Sequence, residues 1–372
     1  MKYQEFIQVF LLLIIGGVSG CRSGESERVI YNDPVTGNEV WQITNHPSGS
    51  SMPYFDCQAF TADDTWVVFS SNRDDGVKIF RSNMATGEVS KLSDMRSEGG
   101  YTMMPDGKRV AFMNSRTLYT VDVATLETES IITFEPAEDR ISFSCSFTAD
   151  SKYTLVTIYN PETGTRIFRV DVPEKKAELV FVTPFSAGHP LINPRYPNLM
   201  TFCVPSEVIR EKKLRNYIVD MNTGIAKPFI PWSVNYGATH ESWSADGERQ
   251  YFFRKKWDEK GRLSGVTVCS LDKDGLNLKE HYTSAEYKLG HGVADREQKW
   301  FISDVQKPDI NPLIKIDLVT GEAEILCWPN SSQIPSEFGH VHPLISASGK
   351  YVAFTSAGDS REITQAFVIP VK

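Results

Sequence analysis

The sequence contains few cysteines, no Cys-x-x-Cys pair and no apolar run long enough to cross a bilayer as a helix. It has 6 cysteines in 372 residues. Five of them follow the N-terminal segment, each in a strand-like stretch, so we interpret them as small buried hydrophobic residues and not as a disulfide scaffold. The formal net charge of -8 argues against a nucleic-acid partner bound through a global basic field. A hydrophobic content of 41% and a charged content of 23% exclude disordered and fibrous chains.

The N-terminal segment has the pattern of a bacterial lipoprotein signal. An apolar run from Val9 to Val18 follows Lys2 and is too short for a transmembrane helix. The run ends in small residues directly before Cys21, which resembles a lipobox. We therefore predict a signal peptide at residues 1–20, lipidation of Cys21, a tether at residues 21–27 and a lipid-anchored location in the bacterial cell envelope. An ordinary signal peptide with an incidental cysteine is the alternative.

A polar turn followed by a β-rich run recurs seven times. Runs such as WVVFSS, RVAFMN and YVAFTS have strand-like alternation, and long helical periodicity is absent. Repeats of roughly 45 to 50 residues with strand-like halves predict the blades of an all-β propeller. The third position of the turn falls at Asp63, Asp106, Asp150, Arg195, Asp246, Asp295 and Ser348.

The two ends of the chain are expected to meet in one blade. A second turn follows the third strand of six blades, but the last blade has none. Its counterpart is DPVTGNEVWQIT, residues 33–44, so an N-terminal strand should complete the last blade and remove free sheet edges. The prediction is a single seven-bladed β-propeller over residues 28–372, with about four strands per blade and no second domain.

Four histidines share one phase of the repeat. His189, His240, His291 and His342 are separated by one constant interval, at the start of the innermost strand of four successive blades. Each should therefore point toward the same mouth of the central channel. His340 shares a strand face with His342, because side chains two residues apart do so, and His291 can join this pair.

Three imidazoles at one point predict a metal site, to which Glu337 in EFGHVH could add a carboxylate. Such a set suits Mn, Fe, Zn or Ni and leaves positions open for a substrate. The alternative is a ring of polar side chains that binds only water. Arg73, Arg210 and Arg215 lie in loops that emerge at the same mouth, where cations would attract an anionic ligand.

Several segments together resemble the oligogalacturonate lyases, the family-22 polysaccharide lyases, which are seven-bladed propellers. They are DPVTGNEVWQIT near the N-terminus, HESWSADG from His240, LGHGVAD around His291 and the terminal EFGHVHPLISASGKYVAFTS. The turn repeats alone are shared with TolB-like propellers. The placement of the histidines is much more specific.

In that family, three histidines and the glutamine of a Gln-x-x-His-x-His pattern hold manganese. The resemblance thus implies Mn²⁺ held by the three imidazoles, with Glu337 in place of the glutamine. It implies a β-elimination on acidic oligosaccharides made of 4-linked uronides, oligogalacturonides among them. His240 and Arg215 would be the basic catalytic pair, with His240 as the base, and His189 could contact a neighbouring sugar.

The sequence departs from the family's pattern at two places, so the resemblance does not fix which uronic-acid glycan is the substrate. Glu337 replaces the family's glutamine, and GSSMPYFDCQAF lacks the His-Arg pair that precedes Tyr-Phe in the family. A lyase for another uronic-acid glycan is therefore an alternative. A non-catalytic TolB-like envelope propeller is another, although such a scaffold needs no aligned histidines. A peptidase is excluded, because no Gly-x-Ser-x-Gly elbow or hydrolase domain is present.

Overall fold

A computed structural model describes residues 26–135, 139–233, 235–306, 311–329, 340–357 and 363–371. The predicted signal peptide, Cys21, Glu337 and most of the tether lie outside these ranges. The described strands form seven antiparallel sheets that follow one another along the chain. This arrangement confirms the predicted seven-bladed β-propeller.

Two N-terminal strands, β1 (Val29–Asn32) and β2 (Glu39–Gln42), belong to the last blade. Blade 1 contains β3 (Ser50–Ser51), β4 (Trp66–Ser71), β5 (Lys78–Asn83) and β6 (Val89–Arg96). Blade 2 contains β7 (Tyr101–Met103), β8 (Arg109–Asn114), β9 (Thr117–Asp122) and β10 (Thr128–Thr133). Blade 3 contains β11 (Arg140–Phe147), β12 (Tyr153–Asn160), β13 (Gly164–Asp171) and β14 (Lys176–Thr183).

Blade 4 contains β15 (Gly188–Ile192), β16 (Leu199–Cys203), β17 (Leu214–Asp220) and β18 (Ile225–Pro231). Blade 5 contains β19 (Tyr236–Trp243), β20 (Arg249–Trp257), β21 (Leu263–Asp272) and β22 (Lys279–Ser284). Blade 6 contains β23 (Leu289–Ala294), β24 (Trp300–Val305), β25 (Leu313–Asp317) and β26 (Ala323–Cys327). Blade 7 contains β27 (Leu344–Ile345), β28 (Tyr351–Ser356) and β29 (Gln365–Pro370), followed by β2 and β1.

Side-chain hydrogen bonds shape the turn between the first and second strands of a blade. In blade 1 the Thr61 hydroxyl donates to Asp63 Oδ1 at 2.7 Å, and the Thr65 amide donates to the same oxygen at 3.0 Å. The Ser244 hydroxyl bonds Asp246 in the same way in blade 5. Aspartate favours such turns because its side chain replaces a backbone acceptor. The repeated motif therefore sets where each second strand begins.

The two chain ends meet in blade 7, as predicted. Trp41 of β2 pairs with Val368 of β29, and the Ile43 amide donates to the Ala366 carbonyl at 2.8 Å. Four strands were expected in this blade, but it has five, because β1 pairs with β2. The N-terminal segment therefore contributes two strands to the closure.

A cavity of about 240 Å³ lies along the propeller axis, with walls from residues of all seven blades. Its lining is largely apolar and includes Met103, Phe147, Ile192 and Ile345. Phe55, which is fully buried, lines the cavity and also contacts histidine rings, so it separates the channel from the histidine mouth.

One short helix, α1 (Ser206–Lys212), occurs in the described part of the chain, in a blade 4 loop between β16 and β17. No helix in that part is long and apolar enough to cross a membrane.

If the closure stabilises the fold, two isoleucines of the N-terminal segment should differ in their contribution to the free energy of unfolding. Ile43 is 1% exposed, whereas Ile30 on the outer strand is 50% exposed. Ile43→Ala should lower the free energy of unfolding by about 2–5 kcal/mol, because it leaves a cavity in the core. Ile30→Ala should change it by less than about 0.5 kcal/mol. Urea denaturation measures both, and equal losses would contradict the closure as the source of stability.

Candidate metal centre

Histidines from four successive blades meet at one mouth of the propeller. His189 and His291 lie near the start of β15 and β23, His240 lies in the middle of β19, and His342 lies two residues before β27. The rings of His240 and His291 are 4.1 Å apart between centroids, and those of His291 and His342 are 4.2 Å apart. The equal positions of these histidines in the sequence repeat therefore correspond to equal positions along the propeller axis.

An irregular inner strand turns these side chains toward the axis. The pairing register shifts across His189, His240 and His291 in the three blades concerned. His189, His240 and His342 have φ of 47°, 55° and 46°, the left-handed region that non-glycine residues rarely adopt. β-bulges commonly re-aim side chains at functional sites. The strain at three equivalent positions is consistent with a functional mouth.

His291, His340 and His342 form a group that could hold a metal ion. One ring nitrogen from each lies within 4.8 Å of the others. His340 is 5.2 Å from His291 and 5.6 Å from His342 between ring centroids. The structure thus brings together the three histidines predicted as ligands. The fourth predicted ligand, Glu337, lies outside the described residues.

Asp304 of β24 orients His291 and was not predicted from the sequence. Its carboxylate accepts the His291 Nδ1 proton at 3.0 Å and the His291 backbone amide at 2.6 Å. A Cβ at Gly290 would collide with this carboxylate, which explains the glycine before the histidine. Burial opposes ionisation, but His291 outweighs it and lowers the Asp304 pKa to about 2. A carboxylate on Nδ1 leaves Nε2 of His291 as the ligand atom, a pattern common to metal-binding histidines.

The Nε2 atom of His342 is buried and has no hydrogen-bond partner among the residues that the structure describes. Burial, and then the neighbouring His291, hold the pKa of His342 well below its ordinary value. The ring is therefore neutral, which is the form that binds a metal. A buried nitrogen without a partner is costly. The residues present thus fit a metal ion, which would satisfy this nitrogen.

His240 lies beside this group with one nitrogen engaged. Its Nδ1 donates to the Gly290 carbonyl at 2.8 Å, which leaves the lone pair on Nε2. Burial, with the neighbouring His291 second, lowers its pKa to about 3. His240 is therefore a neutral imidazole at physiological pH, with a fixed tautomer and an unprotonated Nε2.

A charged network lies on the other side of His240. Arg215 Nε donates to Glu241 Oε1 at 2.7 Å and Nη2 donates to Oε2 at 3.3 Å. His189 Nε2 is 2.9 Å from Asp56 Oδ2, and its Nδ1 is 3.8 Å from Glu241 Oε2. Burial opposes the charge on His189, but Asp56, followed by Cys203 and Glu241, raises its pKa well above the usual value. The network therefore holds two cations between two buried carboxylates.

Cys203 joins the same network, since its thiol donates to Glu241 at 3.2 Å. His189, Cys203 and Glu241 also come close enough to hold a metal ion. Because Arg215 already neutralises the Glu241 carboxylate, we assign these residues to the charged network and not to a second metal centre. Burial opposes the charge on Arg215, but Glu241 outweighs it and raises the Arg215 pKa, so the guanidinium stays protonated.

The segment Tyr54–Asp56 occupies the centre of the mouth and was not predicted as part of the site. Tyr54 lies 4.7 Å from His342 and 5.7 Å from His189 between ring centroids, so it stands between the metal group and the charged network. Asp56 pairs with His189. The sequence signal was Pro53, which interrupts the inner strand of blade 1 after β3 and marks an irregular segment.

Two predicted substrate-binding arginines have other surroundings. The Arg73 side chain is only 4% exposed, packs over Phe69 and Phe80, and pairs with Glu27 of the N-terminal segment. Its position therefore serves the closure between the chain end and blade 1. Arg210 is exposed on α1. The structure places neither arginine in the histidine group or the charged network, and their role in binding a substrate stays a prediction.

Known proteins share this architecture and length. A curated oligogalacturonide lyase from Pectobacterium atrosepticum is 21% identical, over 89% of this chain and 93% of that protein. An oligogalacturonate lyase from Dickeya dadantii is 19% identical over the same shares. A solved oligogalacturonate lyase in complex with manganese superposes with a TM-score of 0.80 at 18% identity, covering 93% of this chain and 96% of that one.

This chain is similar to oligogalacturonate lyases over nearly its whole length. The resemblance inferred from the sequence motifs is thereby confirmed. At these identities, the structural likeness establishes the propeller fold. No protein-family model matches the chain.

The contact between Asp304 and His291 predicts a loss of metal affinity. Asp304→Asn should weaken Mn²⁺ binding about 10- to 100-fold, because the neutral amide no longer fixes the His291 tautomer. Titration calorimetry of the metal-free protein measures the change. Asp94→Asn, at a side chain 86% exposed on β6, is the matched control and should bind as the unaltered protein does. Unchanged affinity in Asp304→Asn would contradict the assigned ligand group.

Proposed function

We propose that the protein is a metal-dependent lyase that cleaves 4-linked uronides by β-elimination and yields 4,5-unsaturated products. The observation that carries this proposal is the neutral, tautomer-fixed His240 beside three convergent imidazoles. Oligogalacturonides are the favoured substrates, because the similar proteins bear the names of oligogalacturonide and oligogalacturonate lyases. The departures in blade 1 and at Glu337 keep other uronic-acid glycans as the second candidate.

His291, His340 and His342 would hold the ion, and we favour Mn²⁺ because the similar solved lyase contains manganese. A bound divalent cation would supply a Lewis acid for the C5 carboxylate, stabilising the negative charge that develops there. Imidazole binds a metal in its neutral form, so these ligands would leave the full charge of the ion available to an anionic sugar.

His240 would take the C5 proton on Nε2. The electron pair of the C5–H bond then forms the C4–C5 double bond, while the C4–O4 bond breaks and the departing O4 takes a proton from solvent. The Gly290 carbonyl keeps the Nδ1 proton in place and so keeps the acceptor nitrogen pointed away from it. A positioned base of this kind contributes about 10² to 10⁴ in rate.

Arg215 would bind the substrate as a permanent cation. Glu241 occupies Nε and Nη2, so Nη1 is left for a carboxylate or hydroxyl of the sugar. His189 is held between Asp56 and Glu241, and it would act on a neighbouring sugar through the charge it carries. A fixed guanidinium suits this role because it presents donors in a rigid plane.

We also propose that Cys21 carries a lipid that anchors the protein in the bacterial cell envelope. The support is the lipobox-like sequence before this cysteine. The enzyme would then meet its oligosaccharides outside the cytoplasm.

The proposed activity predicts unsaturated uronides from short acidic oligosaccharides. With Mn²⁺ present, digalacturonate and related uronates should yield products with the ultraviolet absorbance of a C4–C5 double bond conjugated to the carboxylate. Chelation should abolish this product, and added Mn²⁺ should restore it. Neutral oligosaccharides serve as the control. Absence of product from every uronate tested, or full activity in the chelated protein, would contradict the proposal.

If His240 is the base, its loss should lower turnover without changing the binding of the metal. His240→Ala should lower kcat by about 10² to 10⁴, because the base is lost, while metal content stays at the unaltered level. His281→Ala is the matched control, since His281 bonds Ser270 on the outer strands of blade 5. Metal analysis and initial rates on one preparation test both statements. A His240→Ala variant with full rate would show that another group is the base.

A further inference from the structure

Two lysines at the mouth have no counter-ion in the described structure. Lys255 is half-buried on β20, and Lys288 directly precedes β23. Neither ammonium forms an ion pair or a side-chain hydrogen bond with any residue in the described ranges. By contrast, Arg254, the neighbour of Lys255, pairs with Glu280. Lys288 is exposed, whereas Lys255 is half-buried, and a half-buried cation without a partner is unusual because burial penalises an uncompensated charge.

The register of blade 5 places Lys255 close to His240. Lys255 is two residues from Phe253, so the two side chains share a face of the strand. The Phe253 ring lies 6.4 Å from the His240 ring and 5.7 Å from the Phe301 ring of blade 6. Lys255 therefore lies on the face of β20 that packs against blade 6, and Lys288 directly precedes the inner strand of that blade.

The surroundings of Lys255 are dominated by positive charge. Burial lowers the pKa of Lys255, and the charges of Lys288 and Arg215 lower it further. Glu241 acts in the opposite direction, but it is already shared between Arg215 and His189. The carboxylate that could neutralise Lys255 is thus committed elsewhere, and an anionic ligand would relieve the repulsion.

We propose that Lys255 and Lys288 form a carboxylate-binding subsite beside His240, for the sugar linked to O4 of the reacting uronate. This inference rests on the proposed lyase function. A 4-linked diuronide carries one carboxylate on each ring, and the metal held by His291, His340 and His342 would bind one of them. The subsite accounts for the other, so it selects substrates in which the departing sugar is itself a uronate.

Two digalacturonates that differ only at the departing sugar test this subsite. One has both carboxylates free, and the other has the departing residue as its methyl ester. Lys255→Met should lower kcat/KM for the free diuronide about 10- to 100-fold, the range for a lost charge-assisted hydrogen bond. It should change kcat/KM for the ester less than about threefold. Lys288→Met should act in the same direction.

Lys256→Met is the matched control. Lys256 is the next residue on β20, exposed and on the opposite face, so its loss should leave the preference for the free diuronide unchanged. Equal losses on both substrates in Lys255→Met, or an unaltered preference, would overturn the subsite. If no unsaturated product forms from either substrate, the lyase proposal fails separately. Calorimetry then decides on the subsite: Lys255→Met must weaken digalacturonate binding about tenfold relative to Lys256→Met, and equal binding overturns it.

Discussion

The mouth of this propeller depends on keeping imidazoles uncharged next to permanent cations. His240 and His342 are neutral because they are buried and lie beside other histidines. A few ångströms away, Arg215 and His189 stay charged because Glu241 and Asp56 are buried with them. Neutral rings can bind a metal and accept a proton, whereas the charged groups can hold an anionic sugar. Which groups are neutral and which are charged is therefore decided by the positions of the buried carboxylates.

Tyr54 and Phe55 separate the neutral histidines from the charged groups. Tyr54 contacts histidine rings on both sides, and Phe55 closes the channel beneath them. Phe55 is fully buried, and its apolar ring lowers the local dielectric beneath the histidines, which strengthens each electrostatic effect. The same insertion brings Asp56 to His189. One irregular segment of blade 1 thus builds a site whose other residues come from blades 4 to 7.

Closure of the ring gives the site its rigidity. Because β1 and β2 pair onto β29 in the last blade, the two ends of the chain are joined in the sheet whose inner strand follows His342. The left-handed backbone of His189, His240 and His342 can persist because the surrounding strands hold it in place. Arg73 contributes to this closure through Glu27, which is a structural use of a residue expected to bind substrate.

The sequence by itself determined the repeat, the number of blades, the closure and the shared height of the histidines. These features follow from periodicity, since each blade repeats the same turn and the same inner strand. Only the tertiary structure decided the partners: Asp304 for His291, and Asp56 and Glu241 for His189. Such contacts join residues from different strands and blades, and they depend on burial and side-chain direction, which periodicity does not encode.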